Sequence, residues 1–412
     1  MECTVIISVI FNGFVQKTCP SFERICFRRF AYNANIEEII MKHAIVYFPY
    51  ELQKNPKSGS GVRPKRLVEA FTRYGEKENL KIVVISGQTK DRKERIREYL
   101  GSHDVKEAVF CYMENSTMPY WLTDKDHVPR GVGLDFPFWK KLKDNGVPIG
   151  CFYRDVYWQF DDMYVPPFGY KFLTPVMRNI YRKELSTYHK VVDKMYLPSL
   201  EMNRFVKWEK EFDELPPGME KVSADEHVLP AVPTAVYVGG ITDTVGILTM
   251  LEAFHLLNKD QIQVKLEFIC REGEFKKYPE VQKFQNESWI HIQHLSGDDL
   301  KEVYKKADLA LIPREKNTYH DFAMPVKLFE YLSYSLPIVA TNCDAHARFL
   351  EDNSFGVVST VDKQDFAEAV HQALKPEVHQ GLVRSIREHA FEKNSWDARV
   401  QKVVHDLTAI RK

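Results

Sequence analysis

Short apolar runs rich in β-branched and aromatic residues alternate with longer amphipathic segments along most of this chain. This alternation predicts strand–helix–strand units, in which parallel strands form a sheet and helices cover its faces. The predicted strands are residues 43–48, 81–86, 107–112, 148–153 and 194–197, then 234–238, 265–270, 289–293, 308–313, 337–341 and 356–359. Apolar residues at helical spacing predict helices at residues 62–74, 245–257, 298–306, 326–334, 363–374 and 395–410.

The predicted strands form two series, which indicates two domains. A length of 412 residues agrees with this division. Residues 213–219, which contain Pro216, Pro217 and Gly218, and the polar stretch after them are typical of an interdomain linker. We therefore predict an α/β protein with two Rossmann-like domains that face a cleft. The predicted N-terminal domain is residues 41–225, and the predicted C-terminal domain is residues 226–412 with a terminal helix.

Residues 1–40 are predicted to be a peripheral extension, because the first predicted strand follows Met41 almost directly. The apolar run at residues 4–15 is too short to span a bilayer, and no basic residue precedes it as in a signal peptide.

Charge and cysteine content exclude several classes of protein. Lysine and arginine total 57, as do aspartate and glutamate, so no overall positive field favours nucleic acid. The seven cysteines are odd in number and lack metal-site spacing, which predicts a cytoplasmic protein without disulfides or structural zinc.

A glycine-rich segment at residues 57–64 follows the first predicted strand and leads into a helix. Gly59, Ser60 and Gly61 would let the backbone approach a ligand, and the start of the helix would favour an anion beside Arg63. Pro64 stands where the dinucleotide-binding pattern has its third glycine, so we do not predict NAD binding. The alternative is an ordinary surface loop.

A carboxylate follows the fourth predicted strand, in a loop rich in aromatic residues at 152–160. Aromatic surroundings remove water from Asp155, which raises its proton affinity and suits it to act as a general base towards a sugar hydroxyl. The alternative is a structural ion pair between Arg154 and Asp155. The aromatic rings would stack on a sugar or pack against the other domain.

The most informative segment is residues 321–341, which begins Asp-Phe-Ala-Met-Pro and ends Pro-Ile-Val-Ala-Thr. Pro325 suits the start of a helix, and Lys327 and Glu330 then lie three residues apart on one face. A lysine there would neutralise a diphosphate, and a carboxylate would accept ribose hydroxyls. The alternative is an ordinary ion pair at a helix start.

This segment, the glycine-rich segment, the Leu215-Pro-Pro-Gly linker and Tyr237-Val-Gly-Gly240 together resemble the GT-B-fold glycosyltransferases. The likeness is to the family-four-like retaining enzymes (group 1), and it extends from residue 41 to the C-terminus. It implies that Glu330 binds the nucleotide ribose and that Lys327 lies by the diphosphate.

The sequence departs from the family at two places. Phe322 stands where the family has a glutamate that contacts the donor sugar, so Asp321 or the backbone N–H groups of Ala323 and Met324 would take that role. The family also has two cations that bind the diphosphate. This chain lacks both, since Gly239-Gly240 and Val245-Gly246 stand at their positions. Lys327 together with Arg271 or Arg314, each arginine just beyond a predicted strand, would compensate.

The resemblance implies transfer of a sugar from a nucleotide-diphosphate sugar, with a UDP-sugar as the first candidate, to a glycan, lipid-linked or polypeptide acceptor. It also implies that the anomeric configuration of the sugar is retained. No Asp-x-Asp cluster suited to a catalytic metal is seen, so we expect neither metal nor further cofactor. A non-catalytic GT-B subunit that binds a glycan or another transferase, and a sugar-nucleotide epimerase, are the alternatives. Basic residues among aromatics at 168–194 predict either an ordinary helix or peripheral contact with the inner face of a membrane.

Overall fold

The computed structural model describes residues 42–54, 56, 59–161, 163–164, 171–222 and 228–411. The predicted extension at residues 1–40 lies outside the described residues. Two six-stranded sheets are present in the described chain, and each strand pairs in parallel with its neighbours. The two-domain α/β architecture predicted from the alternating pattern is confirmed.

The first sheet has the order β2-β1-β3-β4-β5-β6. Its strands are β1 His43–Tyr47, β2 Lys81–Ile85, β3 Ala108–Glu114, β4 Ile149–Phe152, β5 Lys194–Leu197 and β6 Phe212–Glu214. Ile45 and Tyr47 enter one core cluster, whereas Ala44 and Val46 enter the cluster on the opposite face. Helices therefore cover both faces, as the continuous apolar runs predict for a parallel sheet.

The second sheet has the order β12-β11-β10-β7-β8-β9. Its strands are β7 Thr234–Val238, β8 Lys265–Ile269, β9 Ile290–Gln293, β10 Leu309–Ile312, β11 Ile338–Thr341 and β12 Gly356–Ser359. Two core clusters again divide its faces, with Val236 and Val238 on one side and Ala235 and Tyr237 on the other.

Helices cover the two sheets. Those in the first half are α1 Gly59–Glu78, α2 Thr89–Ser102, α3 Asp135–Asp144, α4 Thr174–Val191 and α5 Asn203–Val206. The second half contains α6 Ile247–Leu257, α7 Glu272–Phe275, α8 Pro279–Gln282, α9 Leu300–Lys306, α10 Thr318–Phe322, α11 Val326–Ser333, α12 Asp344–Asn353, α13 Lys363–Ala373, α14 Pro376–Ser385, α15 Phe391–Asn394 and α16 Trp396–Ile410. A π-helical turn, Ile386–Ala390, joins α14 to α15.

Two details of the chain path differ from the predicted linker and terminal helix. Asp213 and Glu214 belong to the short edge strand β6 instead of the linker. The terminal helix α16 packs on the first sheet, where Trp396 and Val400 join Phe71 and Tyr112 in one cluster. The chain therefore crosses between the domains twice, and Met219 pairs with Ser395 where the two crossings meet.

Candidate functional site

The order of the second sheet reverses between β7 and β10, and ligands of open α/β sheets bind beyond the carboxyl ends of the strands at such a point. Gly239 and Gly240 follow β7, and Arg314 follows β10. The fold therefore places three of the predicted donor-binding residues at adjacent strand ends.

Arg314 is a half-buried cation in this crevice. Its guanidinium donates a hydrogen bond to the Ala323 carbonyl at 3.3 Å, and no acid in the described part of the chain forms an ion pair with it. Burial lowers its pKa from the usual value, but arginine keeps its charge in proteins. A half-buried positive charge without an acidic partner favours an anionic ligand.

Lys327 and Glu330 lie on α11 and form an ion pair. Tyr304 contacts both: the Lys327 ammonium donates to its hydroxyl at 3.2 Å, and that hydroxyl donates to the Glu330 carboxylate at 3.3 Å. The Lys327 and Glu330 side chains are 33% and 40% exposed. Both charged groups are therefore accessible to a ligand, as their predicted roles require, and Tyr304 is a member of this cluster that the sequence analysis missed.

The loops after β7 and β8 support each other. The Tyr237 hydroxyl donates to the Gly240 carbonyl at 2.7 Å, and a Cβ at Gly239 would lie 2.7 Å from Cζ of Tyr237. The Ile241 N–H donates to Glu274 at 2.9 Å, while Arg271 forms an ion pair with Glu274 at 2.5 Å. Because Arg271 is 80% exposed, its observed role is an ion pair at the surface.

The segment that carries the expected sugar contacts is α10 and the residues after it. Asp321 forms an ion pair with Lys316 at 3.1 Å and accepts a hydrogen bond from the Asp344 N–H at 3.4 Å. The Ala323 N–H donates to the Tyr319 carbonyl at 3.1 Å, and Met324 is buried. Asp321 and the Ala323 N–H thus have partners within the protein, which differs from the sugar contacts that we expected.

Phe322, at the position of the missing glutamate, is buried in the contact between the domains. Its ring lies 6.0 Å from that of Phe160 and 5.1 Å from that of Phe205, measured between centroids. The Ser199 hydroxyl donates to the Phe322 carbonyl at 2.7 Å. An apolar contact therefore occupies the position where the family has a charged one.

Asp155, in the first domain, contacts Tyr319 of the second domain. The Tyr319 hydroxyl donates to the Asp155 carboxylate at 2.6 Å, and Asp155 also accepts the Tyr157 N–H at 2.9 Å. Burial raises the pKa of Asp155, and the bond from Tyr319 opposes that rise. The Arg314 charge in turn opposes the rise that burial causes in the pKa of Tyr319.

A second charged cluster lies at the point where the order of the first sheet reverses, between β1 and β3. Arg63 donates to the Glu114 carboxylate at 2.9 Å, and its guanidinium lies 3.6 Å from the centre of the Phe152 ring. Arg154 pairs with Glu114 at 3.5 Å and donates to the Tyr50 hydroxyl at 2.8 Å. Glu114, Arg154 and Tyr50 were not among the predicted site residues, although Glu114 ends β3 and the other two closely follow a strand.

The glycine-rich segment is helical where it is described, because α1 begins at Gly59 and continues through Ser60. Residues 57–58 lie outside the described residues. A Cβ at Gly61 would lie 2.8 Å from Pro56 and from the Gln53 side chain, so this glycine allows close packing against the preceding loop. Among these residues, Arg63 is the one that the structure places in the charged cluster.

Trp158 of the Asp155 loop and aromatic residues of α4 pack inside the first domain, whereas Phe160 of the same loop stacks on Phe322 of the second domain. Trp158 stacks on Tyr181 with 5.0 Å between ring centroids, and Tyr188 is also buried. This agrees with the ordinary helix predicted for that region, of which residues 168–170 lie outside the described residues. Within the described ranges no helix is both long and apolar enough to cross a bilayer. Nor do these ranges hold a group of three metal-ligating side chains that could bind a metal ion.

Comparison with known proteins agrees with this geometry. Residues 232–376 match the family model described as glycosyl transferases group 1. No curated protein sequence matches the chain.

Solved structures resemble the whole architecture. A glycosyltransferase from Rickettsia africae has 12% identity and a TM-score of 0.57 over 90% of this chain and 99% of its own. WaaG, a glycosyltransferase involved in lipopolysaccharide biosynthesis, has 17% identity and a TM-score of 0.56 over 88% of this chain and 99% of its own. Anabaena HepE in complex with UDP has 10% identity and a TM-score of 0.55 over 89% of this chain and 100% of its own. At these identities the likeness concerns the fold.

The matched family model coincides with the second domain, which carries Arg314, Lys327 and Glu330. The second domain is therefore similar to the glycosyl transferases of group 1, and the whole chain has the GT-B fold of these solved structures.

Proposed function

We propose that this chain is a glycosyltransferase. It would transfer a sugar from a nucleotide-diphosphate sugar, with a UDP-sugar as the first candidate, to a hydroxyl of a glycan, lipid-linked or polypeptide acceptor. The observation that carries the proposal is Arg314, a half-buried cation without an acidic partner in the described chain, at the switch point of the second sheet. UDP is also the nucleotide in the HepE complex.

In the proposed complex, the diphosphate lies between Arg314 and Lys327, and Glu330 accepts hydrogen bonds from the ribose hydroxyls. Binding of the diphosphate would separate Lys327 from Glu330, since these side chains form an ion pair with each other in the structure. Gly239 and Gly240 lie at the end of β7 next to the proposed phosphates, and a Cβ at Gly239 would instead collide with the Tyr237 side chain.

In the proposed reaction, the bond between the anomeric carbon and the diphosphate oxygen breaks while the acceptor oxygen bonds to that carbon. The acceptor proton goes to the Asp155 carboxylate, and the two cations stabilise the negative charge on the leaving diphosphate. We propose retention of configuration, as the family resemblance implies. We also propose metal independence, because Arg314 and Lys327 would supply the positive charge.

The test is to screen nucleotide diphosphates and nucleotide sugars by thermal shift, and then to follow release of the nucleotide with and without added acceptors. A ligand that binds the folded state raises the melting temperature by mass action. We expect stabilisation by at least one nucleotide and slow hydrolysis of its sugar donor. Stabilisation without turnover would instead support the non-catalytic subunit, and an isomerised donor sugar would support the epimerase.

A further inference from the structure

A pocket of about 330 Å³ lies in the first domain beside the loop that carries Asp155. Its lining residues are Trp158, Gln159, Arg178, Arg182, Leu185, Phe205, Val206 and Lys207. These residues come from the Asp155 loop, from α4 and from the segment around α5. None of the lining residues belongs to the second domain, where the proposed donor site lies.

The pocket is strongly basic. Arg178, Arg182 and Lys207 line it, and no acid is among the described lining residues. Arg178 is partly neutralised, since it donates to Asp161 at 2.6 Å and to the Trp158 carbonyl at 2.9 Å. Arg182 and Lys207 form no ion pair with any described residue.

Arg178 and Arg182 are four residues apart on α4, which places their side chains next to each other on one face. Two like charges at this spacing repel, and an anion between them would remove that repulsion. The planar guanidinium groups match the geometry of phosphate oxygens. The pocket volume is within the range of small-molecule sites, so a phosphate with a sugar-sized group attached would fit.

Lys207 occupies a backbone conformation that usually selects glycine or asparagine. It ends α5 with φ 52° and ψ 47°, the left-handed region. The chain thus places a long basic side chain at the pocket where a smaller residue would suit the backbone better. The same feature supplies an informative variant, because Lys207→Asn removes the charge while it keeps a residue that accepts this conformation.

We propose that this pocket binds the phosphate group of a phosphorylated acceptor and thereby holds the acceptor next to the Asp155 loop. The inference rests on the proposed function, since it names the class of acceptor. Trp158 and Gln159 link the pocket to the proposed base, because they follow Asp155 closely in the same loop. The apolar side chains of Leu185 and Phe205 would face the uncharged part of the ligand.

Calorimetric titration at constant ionic strength tests the pocket without any need for turnover. The probes are inorganic phosphate, a hexose phosphate and the free hexose as an uncharged control. We expect saturable binding of both phosphates and none of the free hexose. Arg182→Gln and Lys207→Asn should each weaken phosphate binding at least about tenfold, because each removes a charge-assisted contact.

Lys183→Gln is the matched control, because Lys183 is the next residue on α4, is exposed and forms no ion pair with a described residue. We expect it to bind phosphate like the wild type. Lack of saturable binding to any phosphate probe, or equal affinities in the wild type and in both pocket variants, would overturn the proposal.

Two further arms identify the source of the phosphate and separate this proposal from the donor site. Co-sedimentation with phosphatidic acid vesicles, compared with phosphatidylcholine vesicles, indicates a lipid-linked phosphate if it depends on Arg182. Hexose phosphate binding that depends on Arg182, with no vesicle binding that depends on it, indicates a soluble acceptor. UDP affinity should be the same in both pocket variants and the wild type; if UDP binds and neither phosphate source does, only the pocket proposal fails.

Discussion

The Tyr319 hydroxyl donates a hydrogen bond of 2.6 Å to the Asp155 carboxylate, although 164 positions separate the two residues. Asp155 follows a strand of the first sheet, and Tyr319 lies in α10 of the second domain. The protonation of the proposed base therefore depends on contact between the domains.

Tyr319→Phe should shift the acidic limb of the pH–rate profile to higher pH. A general base must be deprotonated, so activity is lost as the pH falls through its pKa. The Tyr319 hydroxyl lowers the pKa of Asp155 against the effect of burial, and its removal therefore raises that pKa. The measurement is kcat/KM across pH for the wild type and Tyr319→Phe.

Asp155→Asn should reduce kcat by roughly 10²- to 10⁴-fold, the usual contribution of a general base.

The control for Tyr319→Phe is Tyr74→Phe, which removes a hydroxyl from α1 and should leave the pH–rate profile unchanged. An unchanged acidic limb in Tyr319→Phe would show that Asp155 does not set the pH dependence.

Lys327→Ala should weaken UDP binding at least about tenfold and uridine binding much less, because the proposed contact is with the diphosphate. Isothermal titration with both ligands measures the difference. Lys305→Ala is the matched control, since Lys305 also pairs with a glutamate three residues away, Glu302, at 2.8 Å. Equal losses for UDP and uridine would mean that Lys327 has only a structural role.

Strand positions could be predicted from sequence because parallel strands are buried on both faces and form continuous apolar runs. The strand β6 lacks this signal: Phe212 is exposed, and Asp213 and Glu214 are acidic. Its pairing with β5 decides its structure. The final helix was predicted from its period, but its position on the first sheet depends on tertiary packing.

The site residues also divide into those with a local sequence signal and those that only tertiary contacts bring together. Lys327 and Glu330 were predicted because three-residue spacing on a helix is local information. Tyr319 and Phe322 meet the first domain only when the domains dock, and no local pattern reports that contact. The Arg154–Glu114 pair likewise depends on the alignment of two strands.

Phe322→Ala should destabilise the protein by roughly 3–5 kcal/mol, because it removes a buried aromatic ring from the cluster with Phe160 and Phe205. Thermal and denaturant unfolding measure this loss. Phe172→Ala is the matched control, since Phe172 is 73% exposed and should change stability by less than about 0.5 kcal/mol. Similar melting temperatures for both variants would contradict the assigned packing of Phe322.

The free energy of unfolding of Glu184→Gln, relative to that of the wild type, should increase as the pH rises from 5 to 8. Burial raises the pKa of Glu184 to about 8, so the folded state holds a proton that the unfolded state releases near pH 4.5. Between these values the unfolding free energy of the wild type falls with pH, by up to about 1.4 kcal/mol per unit from this group.

Glutamine is uncharged throughout this window, and its carbonyl can still accept from the Tyr120 N–H and the Tyr188 hydroxyl, which now lie 2.8 and 3.0 Å from the Glu184 carboxyl. The stability of Glu184→Gln should therefore lack the pH dependence that Glu184 causes in the wild type, while both hydrogen bonds are kept. The measurement is denaturant unfolding of both proteins at pH 5, 6, 7 and 8. A stability difference that is constant across these values would mean that Glu184 has the same charge in the folded and unfolded states, and so would contradict the raised pKa.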